Sequence, residues 1–117
     1  MATFQLDHNR SFEGTHNIGY VKLIPRRLVE HFGRPEKFDE YKVSGEYRFV
    51  DDSGRVYTLY DYKATSLYND QIDMGIESEL PTPDEFWGAE RPYDFCIGGT
   101  DDCDTGAFKV WLRYLVD

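Results

Sequence analysis

The sequence predicts an α+β fold: an antiparallel sheet of four to five strands with two helices packed on one face. Three observations predict it, namely a β-rich hairpin over residues 42–63, a short helix over residues 25–32 and a C-terminal amphipathic helix over residues 106–116. The chain has 117 residues, of which 40% are hydrophobic and 16% aromatic. A chain of this length and composition buries a core without disulfide or metal staples, so we expect residues 1–117 to form a single domain.

The hairpin is the best-defined element of the sequence. Two runs rich in β-branched and aromatic residues flank an Asp-Asp-Ser-Gly segment, and Gly54 can take the left-handed position of a three-residue loop. Such a loop places Phe49 opposite Tyr57, and Tyr47 opposite Leu59, on the side that covers the core. The other side mixes aromatic and charged residues, so we expect it either to be partly covered or to serve as a contact surface.

The helices are predicted from apolar spacing and from their terminators. Pro25 suits the first turn of the short helix, and Gly33 followed by Pro35 ends it. A capping box from Thr82 to Glu85 opens a further helical turn. In the C-terminal helix, one apolar stripe recurs at i, i+3, i+4 and i+7: Phe108, Trp111, Leu112 and Leu115.

Three more segments have the composition of extended chain. Thr3–Leu6 is predicted as a short strand, His16–Ile24 as a longer one, and Tyr93–Ile97 as a strand that the glycine pair 98–99 ends. The side chains expected to be buried in the second of these are Ile18, Tyr20 and Val21. The acid-rich segment Asn69–Leu80 has no clear period and is predicted to be a loop.

The formal net charge of −9 lies in the second half of the chain. Residues 1–60 carry nine acids and nine bases, whereas residues 61–117 carry thirteen acids and four bases. Between Asp70 and Asp104, eleven acids accompany a single base, Arg91. Either a solvated surface or a patch that meets a basic partner explains this excess. The charge disfavours direct binding to nucleic acid or to an anionic membrane.

The apolar runs, the N-terminus and the cysteine content indicate the cellular compartment of the protein. No apolar run approaches the roughly 20 residues that span a bilayer. The N-terminus has neither the charged nor the apolar region of a signal peptide, so we expect a cytoplasmic protein. Cys96 and Cys103 are too few for a disulfide framework and are expected to be reduced thiols.

The sequence contains no recognised motif for catalysis, metal binding or a cofactor. The serines and cysteines stand in no nucleophile motif, and all three histidines fall in the first 31 residues. Asp101, Asp102 and Asp104 lack the register of a calcium loop and are better explained as acids at the start of the last helix. We therefore expect no catalytic residue, no bound metal and no cofactor.

The residues predicted to bind a partner are acidic and aromatic. The acids are Asp70, Asp73, Glu77, Glu79, Asp84 and Glu85, and the aromatic anchors are Tyr60, Tyr62, Tyr68 and Trp87. Tyrosine offers contact area with a polar tip at interfaces, although it is also simply a good strand residue. The first hypothesis is a protein that occupies the basic, nucleic-acid-binding surface of another protein.

The second hypothesis is a binder of a small nucleotide ligand. Tyrosine rings would stack on the base, and the phosphate would be held by Lys42, Arg48, Lys63 or Arg91. A hydrolase ranks third, because no nucleophile is prepared. The sequence leaves open whether the chain forms a homo-oligomer.

Four segments resemble a small family of uncharacterised phage and prophage proteins: Leu28–Pro35, Tyr41–Tyr47, Gly54–Lys63 and Phe95–Gly99. The corresponding family patterns are LVxxFGxP, YKV followed by EW, TIYxYK and HIGG. Cys96 stands where the family has His, so no role of that His can be transferred, and Tyr47 replaces a usual Trp. The resemblance implies a viral protein acting in the host cytoplasm. Small acidic phage proteins are often inhibitors of host defence, such as anti-CRISPR proteins, nucleic-acid mimics or sponges for nucleotide signals.

Overall fold

A computed structural model describes residues 3–11, 13–36, 43, 45–62 and 81–116. In chain order its elements are β1 (Phe4–Leu6), β2 (His16–Leu23), α1 (Pro25–Phe32), β3 (Glu46–Asp51), β4 (Val56–Tyr60), α2 (Pro83–Trp87), β5 (Tyr93–Gly99) and α3 (Thr105–Val116). Within these residues the strands form an open antiparallel sheet in the order β1-β3-β4-β5-β2. The predicted α+β class is confirmed, with five strands and with α2 as a third helix. Over the same ranges, no helix has the length and apolarity needed to cross a membrane.

The β3–β4 hairpin has the predicted register. Phe49 pairs with Tyr57 and Tyr47 pairs with Leu59, and all four side chains are fully buried. Gly54 has a φ of 83°, a left-handed conformation that L side chains rarely adopt, and its N–H donates to the carbonyl of Asp51 at 3.0 Å. The turn chemistry therefore sets which faces of β3 and β4 point to the core.

The structure confirms the predicted bounds of α1 and the predicted start of α2, and α3 begins at Thr105, one residue before its predicted start. The N–H of Gly33, which has a φ of 84°, donates to the carbonyl of Val29 at 2.8 Å and closes α1. Both hydrogen bonds of the capping box between Thr82 and Glu85 are present at the start of α2. At the start of α3, a carboxylate oxygen of Asp104 accepts the backbone N–H of Ala107 at 3.0 Å.

The core lies between the sheet and the three helices and is mainly aromatic. Phe49 is central: the ring centroids of Phe32, Phe108 and Trp111 lie 5.2, 5.3 and 5.5 Å from its own. Phe108 also stacks on Tyr57 with a centroid separation of 4.8 Å. Since Phe32 belongs to α1 and Phe108 to α3, these contacts fix both helices on one face of the sheet, as predicted.

One sequence prediction for β2 is wrong. Tyr20 is 61% exposed, whereas Val21 and Leu23 are buried, and Ile18 is only partly buried against the core. The cause is a register shift between Asn17 and Gly19, which changes the alternation of the strand. Only Val21 of the three predicted side chains is fully buried.

The end of β5 also differs from its prediction. The strand continues through Gly98 and Gly99 rather than stopping at Ile97. A Cβ at Gly98 would lie 2.3 Å from Oγ1 of Thr58, and a Cβ at Gly99 would lie 2.9 Å from Sγ of Cys103. These glycines therefore permit close neighbours inside the sheet, which local sequence patterns do not reveal.

Candidate interaction face

The face of the sheet opposite to the three described helices is called the outer face here. Strand register places four side chains on one row across it: Tyr20 of β2, Cys96 of β5, Tyr60 of β4 and Glu46 of β3. Their chain neighbours point to the core instead, because side chains alternate along a strand. The outer face thus combines phenol, thiol and carboxyl groups in one line.

Asn17 joins two members of this row. Its side-chain oxygen accepts the N–H of Gly19 at 3.1 Å, and its side chain lies close enough to Tyr60 and Cys96 to influence the pKa of both groups. Burial raises the pKa of the Cys96 thiol and the pKa of the Tyr60 hydroxyl, although Asn17 lowers both in part. Both groups are therefore protonated and uncharged at neutral pH, and Cys96 is not an activated thiolate.

Glu46 and Arg48 form a buried ion pair next to the row. Glu46 is 3% exposed, and its carboxylate accepts a hydrogen bond from the Arg48 guanidinium. Burial raises the pKa of Glu46 despite the opposing effect of Arg48. The same guanidinium donates to the carbonyl of Arg10 at 2.8 Å. Arg48 is therefore already committed to protein partners.

The cations predicted to hold a phosphate are thus not gathered in the described structure. Besides Arg48, Arg91 donates from Nε to the hydroxyl of Tyr93 at 2.9 Å and lies 4.9 Å from the centroid of that ring. Lys42 and Lys63 lie outside the described residues. The described contacts consequently offer no support for a nucleotide site built from these side chains.

The predicted aromatic anchors differ in how much of each side chain is exposed. Tyr60 is partly buried on the outer face, and Tyr62 is 47% exposed just after β4. The prediction of Trp87 as a surface anchor is wrong, because Trp87 is 3% exposed and packs in the core. Its ring centroid lies 5.7 Å from that of Phe95 and 5.9 Å from that of Tyr47.

Two of the predicted acids lie on the helical side of the sheet. Asp84 and Glu85 are exposed, but Asp84 pairs with Arg34 at 2.7 Å and Glu85 belongs to the capping box of α2. Because Trp87 anchors α2 on the core-facing side, these acids do not share a face with Tyr60. The other predicted site residues lie outside the described ranges: Tyr68, Asp70, Asp73, Glu77 and Glu79.

Acids of the second half of the chain meet bases of the first half. Besides the Arg34–Asp84 pair, two such contacts are Arg26–Glu90 at 2.6 Å and Lys22–Asp94 at 4.0 Å, and the His16 ring lies 3.0 Å from the Asp101 carboxylate. All of these side chains are more than half exposed. The charge asymmetry along the sequence is therefore partly balanced in space.

Sequence patterns missed two polar features of the site. Tyr20 was assigned to the core, although its alternation with Val21 and Leu23 could have indicated the opposite face. Asp61 is fully buried, and its carboxylate accepts the N–H of Gly45 at 2.9 Å. Nothing local marks Asp61 as buried, because its partner lies 16 residues earlier in the chain.

The remaining chemically reactive groups are dispersed. Cys96 and Cys103 are both free thiols. In the ranges that the structure covers, no three His, Cys, Asp or Glu side chains are grouped so that they could hold a metal ion. His16 pairs with Asp101, and the His8 ring lies against Tyr47 with centroids 6.1 Å apart. No described histidine contact involves either cysteine.

No family model matches the chain, and a search of curated proteins finds no match. The resemblance of the four short segments to phage and prophage proteins therefore stays a prediction.

Proposed function

We propose that the protein is a non-enzymatic interaction module that binds a basic, nucleic-acid-binding surface of a partner protein. The observation that carries the proposal is the presence of two exposed tyrosines around Tyr60: Tyr20 is 61% exposed and Tyr62 is 47% exposed. Large aromatic side chains with polar tips are enriched at protein interfaces and cost little conformational entropy to immobilise. Their exposure on a folded domain favours a binding role.

A basic partner suits these tyrosines on electrostatic grounds. Arginine and lysine side chains pack favourably over the faces of aromatic rings. The net charge of −9 would draw a basic surface toward the domain and raise the association rate at low ionic strength. The exposed tyrosine rings and the negative net charge therefore both favour a partner with a basic surface.

The unbalanced charge is assigned to residues 70–79. This segment contains four acids and no base. Asp84 and Glu85, in contrast, already serve Arg34 and the α2 cap. The proposed contact residues are therefore Tyr20, Tyr60 and Tyr62, with charge supplied by Asp70, Asp73, Glu77 and Glu79.

The resemblance to phage and prophage proteins suggests what the partner does. Under this proposal the partner is a host defence protein whose nucleic-acid groove is blocked in the host cytoplasm. Binding of the domain and binding of nucleic acid would then exclude each other. Competition, rather than capture alone, is the property that defines this function.

The test compares two exposed-tyrosine variants. Wild-type protein captures its partner from host lysate, the partner is purified, and the Kd is measured by calorimetry at low and high salt. Tyr20→Ala with Tyr62→Ala should weaken binding at least about tenfold, as the loss of central aromatic contacts does. The matched control is Tyr114→Ala, since Tyr114 is an 80% exposed tyrosine on α3 and its loss should leave the Kd of a one-to-one complex unchanged.

A second measurement tests the electrostatic part. Neutralising Asp70, Asp73, Glu77 and Glu79 to amides should lower affinity and flatten its dependence on salt, because the attraction between opposite charges is screened as ionic strength rises. DNA or RNA should displace the domain from the purified partner. Equal affinity for the double tyrosine variant and wild type, or simultaneous binding of nucleic acid and the domain, would contradict the proposal.

A further inference from the structure

The outward side of α3 carries an apolar stripe that the fold does not cover. Val110 is 63% exposed and Tyr114 is 80% exposed, whereas Phe108 and Leu112 of the same helix are fully buried. Gly106 is also exposed and precedes Val110 by four residues, as Val110 precedes Tyr114. Residues four apart lie on one face of a helix, so Gly106, Val110 and Tyr114 form a line, called the α3 stripe here.

Gly106 is not required by the fold of its own chain. A Cβ at this position would meet only Oδ1 of Asp104, at an ordinary contact distance of 3.6 Å. Gly106 also has no left-handed φ that would call for glycine, in contrast to Gly14, Gly33 and Gly54. The α3 stripe therefore has an open gap at one end and a large ring, Tyr114, at the other.

The two ends of α3 also differ in charge. Between Thr105 and Val116 the helix has Lys109 and Arg113 and no acid, in a chain with a net charge of −9. Three aspartates, at positions 101, 102 and 104, stand immediately before its first turn. Neither Lys109 nor Arg113 makes an ion pair with a residue in the described ranges.

We propose that α3 packs against α3 of a second copy of this chain, antiparallel about a two-fold axis at Val110. With a rise of about 1.5 Å per residue, Gly106 and Tyr114 stand about 6 Å to either side of that axis. The two-fold operation therefore seats Tyr114 of each copy over Gly106 of the other, while the two Val110 side chains meet at the centre. This is an isologous contact, in which both copies use the same surface and the ring of Tyr114 on each copy fills the gap at Gly106 on the other.

The same arrangement pairs opposite charges. Arg113, in the last turn of one helix, lies near the N-terminus of the second helix. The three aspartates of that second copy stand immediately before its N-terminus. Antiparallel helix dipoles are also favourable to each other. A parallel pairing would instead set Arg113 against Arg113 and leave the Gly106 gap unfilled. The pairing of opposite charges and the filling of the Gly106 gap therefore both favour the antiparallel orientation.

The dimer is expected to be weak and to leave the outer face open. A single pair of short helices buries less than the roughly 1,200 Å² of the smallest standard interfaces. Because α3 packs on the opposite side of the sheet from Tyr20, dimerisation presents two outer faces. This inference does not rest on the proposed function, although a two-faced dimer would bind a repeated partner with greater avidity.

Sedimentation equilibrium over a wide concentration range tests the association. Wild type should show a reversible monomer–dimer equilibrium that weakens as salt rises. Gly106→Leu fills the gap and should raise the dimer Kd at least tenfold without lowering the melting temperature of the monomer. Tyr20→Ala, which removes an exposed tyrosine from the outer face, is the matched control and should leave the dimer unchanged.

Disulfide trapping tests the orientation. Val110→Cys lies at the proposed axis, within the Cα separation that a disulfide tolerates, and should cross-link to a covalent dimer on mild oxidation. Arg113→Cys lies three residues away on each copy, about 9 Å apart along the axis, and should not cross-link. Wild type controls for Cys96 and Cys103. A wild-type chain that stays monomeric, a Gly106→Leu variant that dimerises normally, or trapping through position 113 rather than 110 would overturn the proposal.

Discussion

The Tyr57 hydroxyl makes two hydrogen bonds to residues that lie far apart in the sequence. It donates to a carboxylate oxygen of Asp51 at 2.9 Å and accepts the backbone N–H of Asp104 at 2.9 Å. Arg55 holds the same Asp51 oxygen at 2.8 Å. Burial alone would raise the pKa of Asp51, but hydrogen bonds from Arg55 and Tyr57 lower it overall. One phenol thus links the β3–β4 turn to the first turn of α3.

Replacing Tyr57 with phenylalanine removes this link and retains the ring. We expect Tyr57→Phe to lower the free energy of unfolding by about 1–3 kcal/mol, because the Asp51 carboxylate and the backbone N–H of Asp104 each lose a hydrogen bond. Urea denaturation followed by circular dichroism measures the change. Tyr114→Phe removes an exposed hydroxyl and should stay within about 0.5 kcal/mol of wild type at concentrations where the chain is monomeric. Equal stability of both variants would contradict the role of Tyr57.

At the scale of secondary structure, local chemistry predicted most of the elements. The turn at Gly54 and the alternation of apolar residues gave the register of the hairpin, and the Thr82 capping box gave the start of α2. The exposure of Tyr20 was missed because the prediction placed it on the same face as Ile18, and the bulge between Asn17 and Gly19, which is set by pairing with β5, breaks that alternation. The extension of β5 was missed because it depends on a contact between Gly98 and Thr58 on another strand.

That contact can be tested by a pair of substitutions. A Cβ at Gly98 would lie 2.3 Å from Oγ1 of Thr58, which is buried in the central strand β4. We expect Gly98→Ala to destabilise the protein by about 1–3 kcal/mol, the usual cost of overpacking. Thermal denaturation of the single and double variants measures the coupling between the two positions.

Thr58→Ala removes the clashing oxygen. The double variant should therefore recover part of the stability lost in Gly98→Ala, so that the two effects are not additive. Thr58→Ala alone serves as the reference for the loss of the buried side chain. Strictly additive effects would mean that Gly98 is needed for a reason other than its distance from Thr58.

For the molecule as a whole, folding rearranges the charge that the sequence separates. Bases of the first half of the chain reach acids of the second half, as Arg26 reaches Glu90 and Arg34 reaches Asp84. The candidate site could be predicted only in part for the same reason. A sequence shows that tyrosines and acids are near each other along the chain, but the two faces of a sheet separate Tyr60 from Asp84.

These surface ion pairs should contribute little to stability. Arg26 and Glu90 have side chains that are 54% and 73% exposed. We expect a double-mutant cycle with Arg26→Ala and Glu90→Ala to give a coupling free energy below about 1 kcal/mol, since water and salt screen exposed pairs. Chemical denaturation at low and high salt measures it. A coupling of several kcal/mol would show that this pair locks α1 to the segment after α2.

The order of the strands in the sheet affects when the chain can fold during its synthesis. Both edges of the sheet, β1 and β2, come from the first 23 residues, and β2 pairs Leu23 with Tyr93 of β5. During synthesis β2 leaves the ribosome before β5, so β2 cannot pair until the residues up to the end of β5 have followed. Pairing across such a distance in sequence is slow. The domain is therefore expected to complete its sheet only once β5 has been synthesised, and a nascent chain that pauses before β5 would leave the edge of β2 unpaired and prone to aggregate.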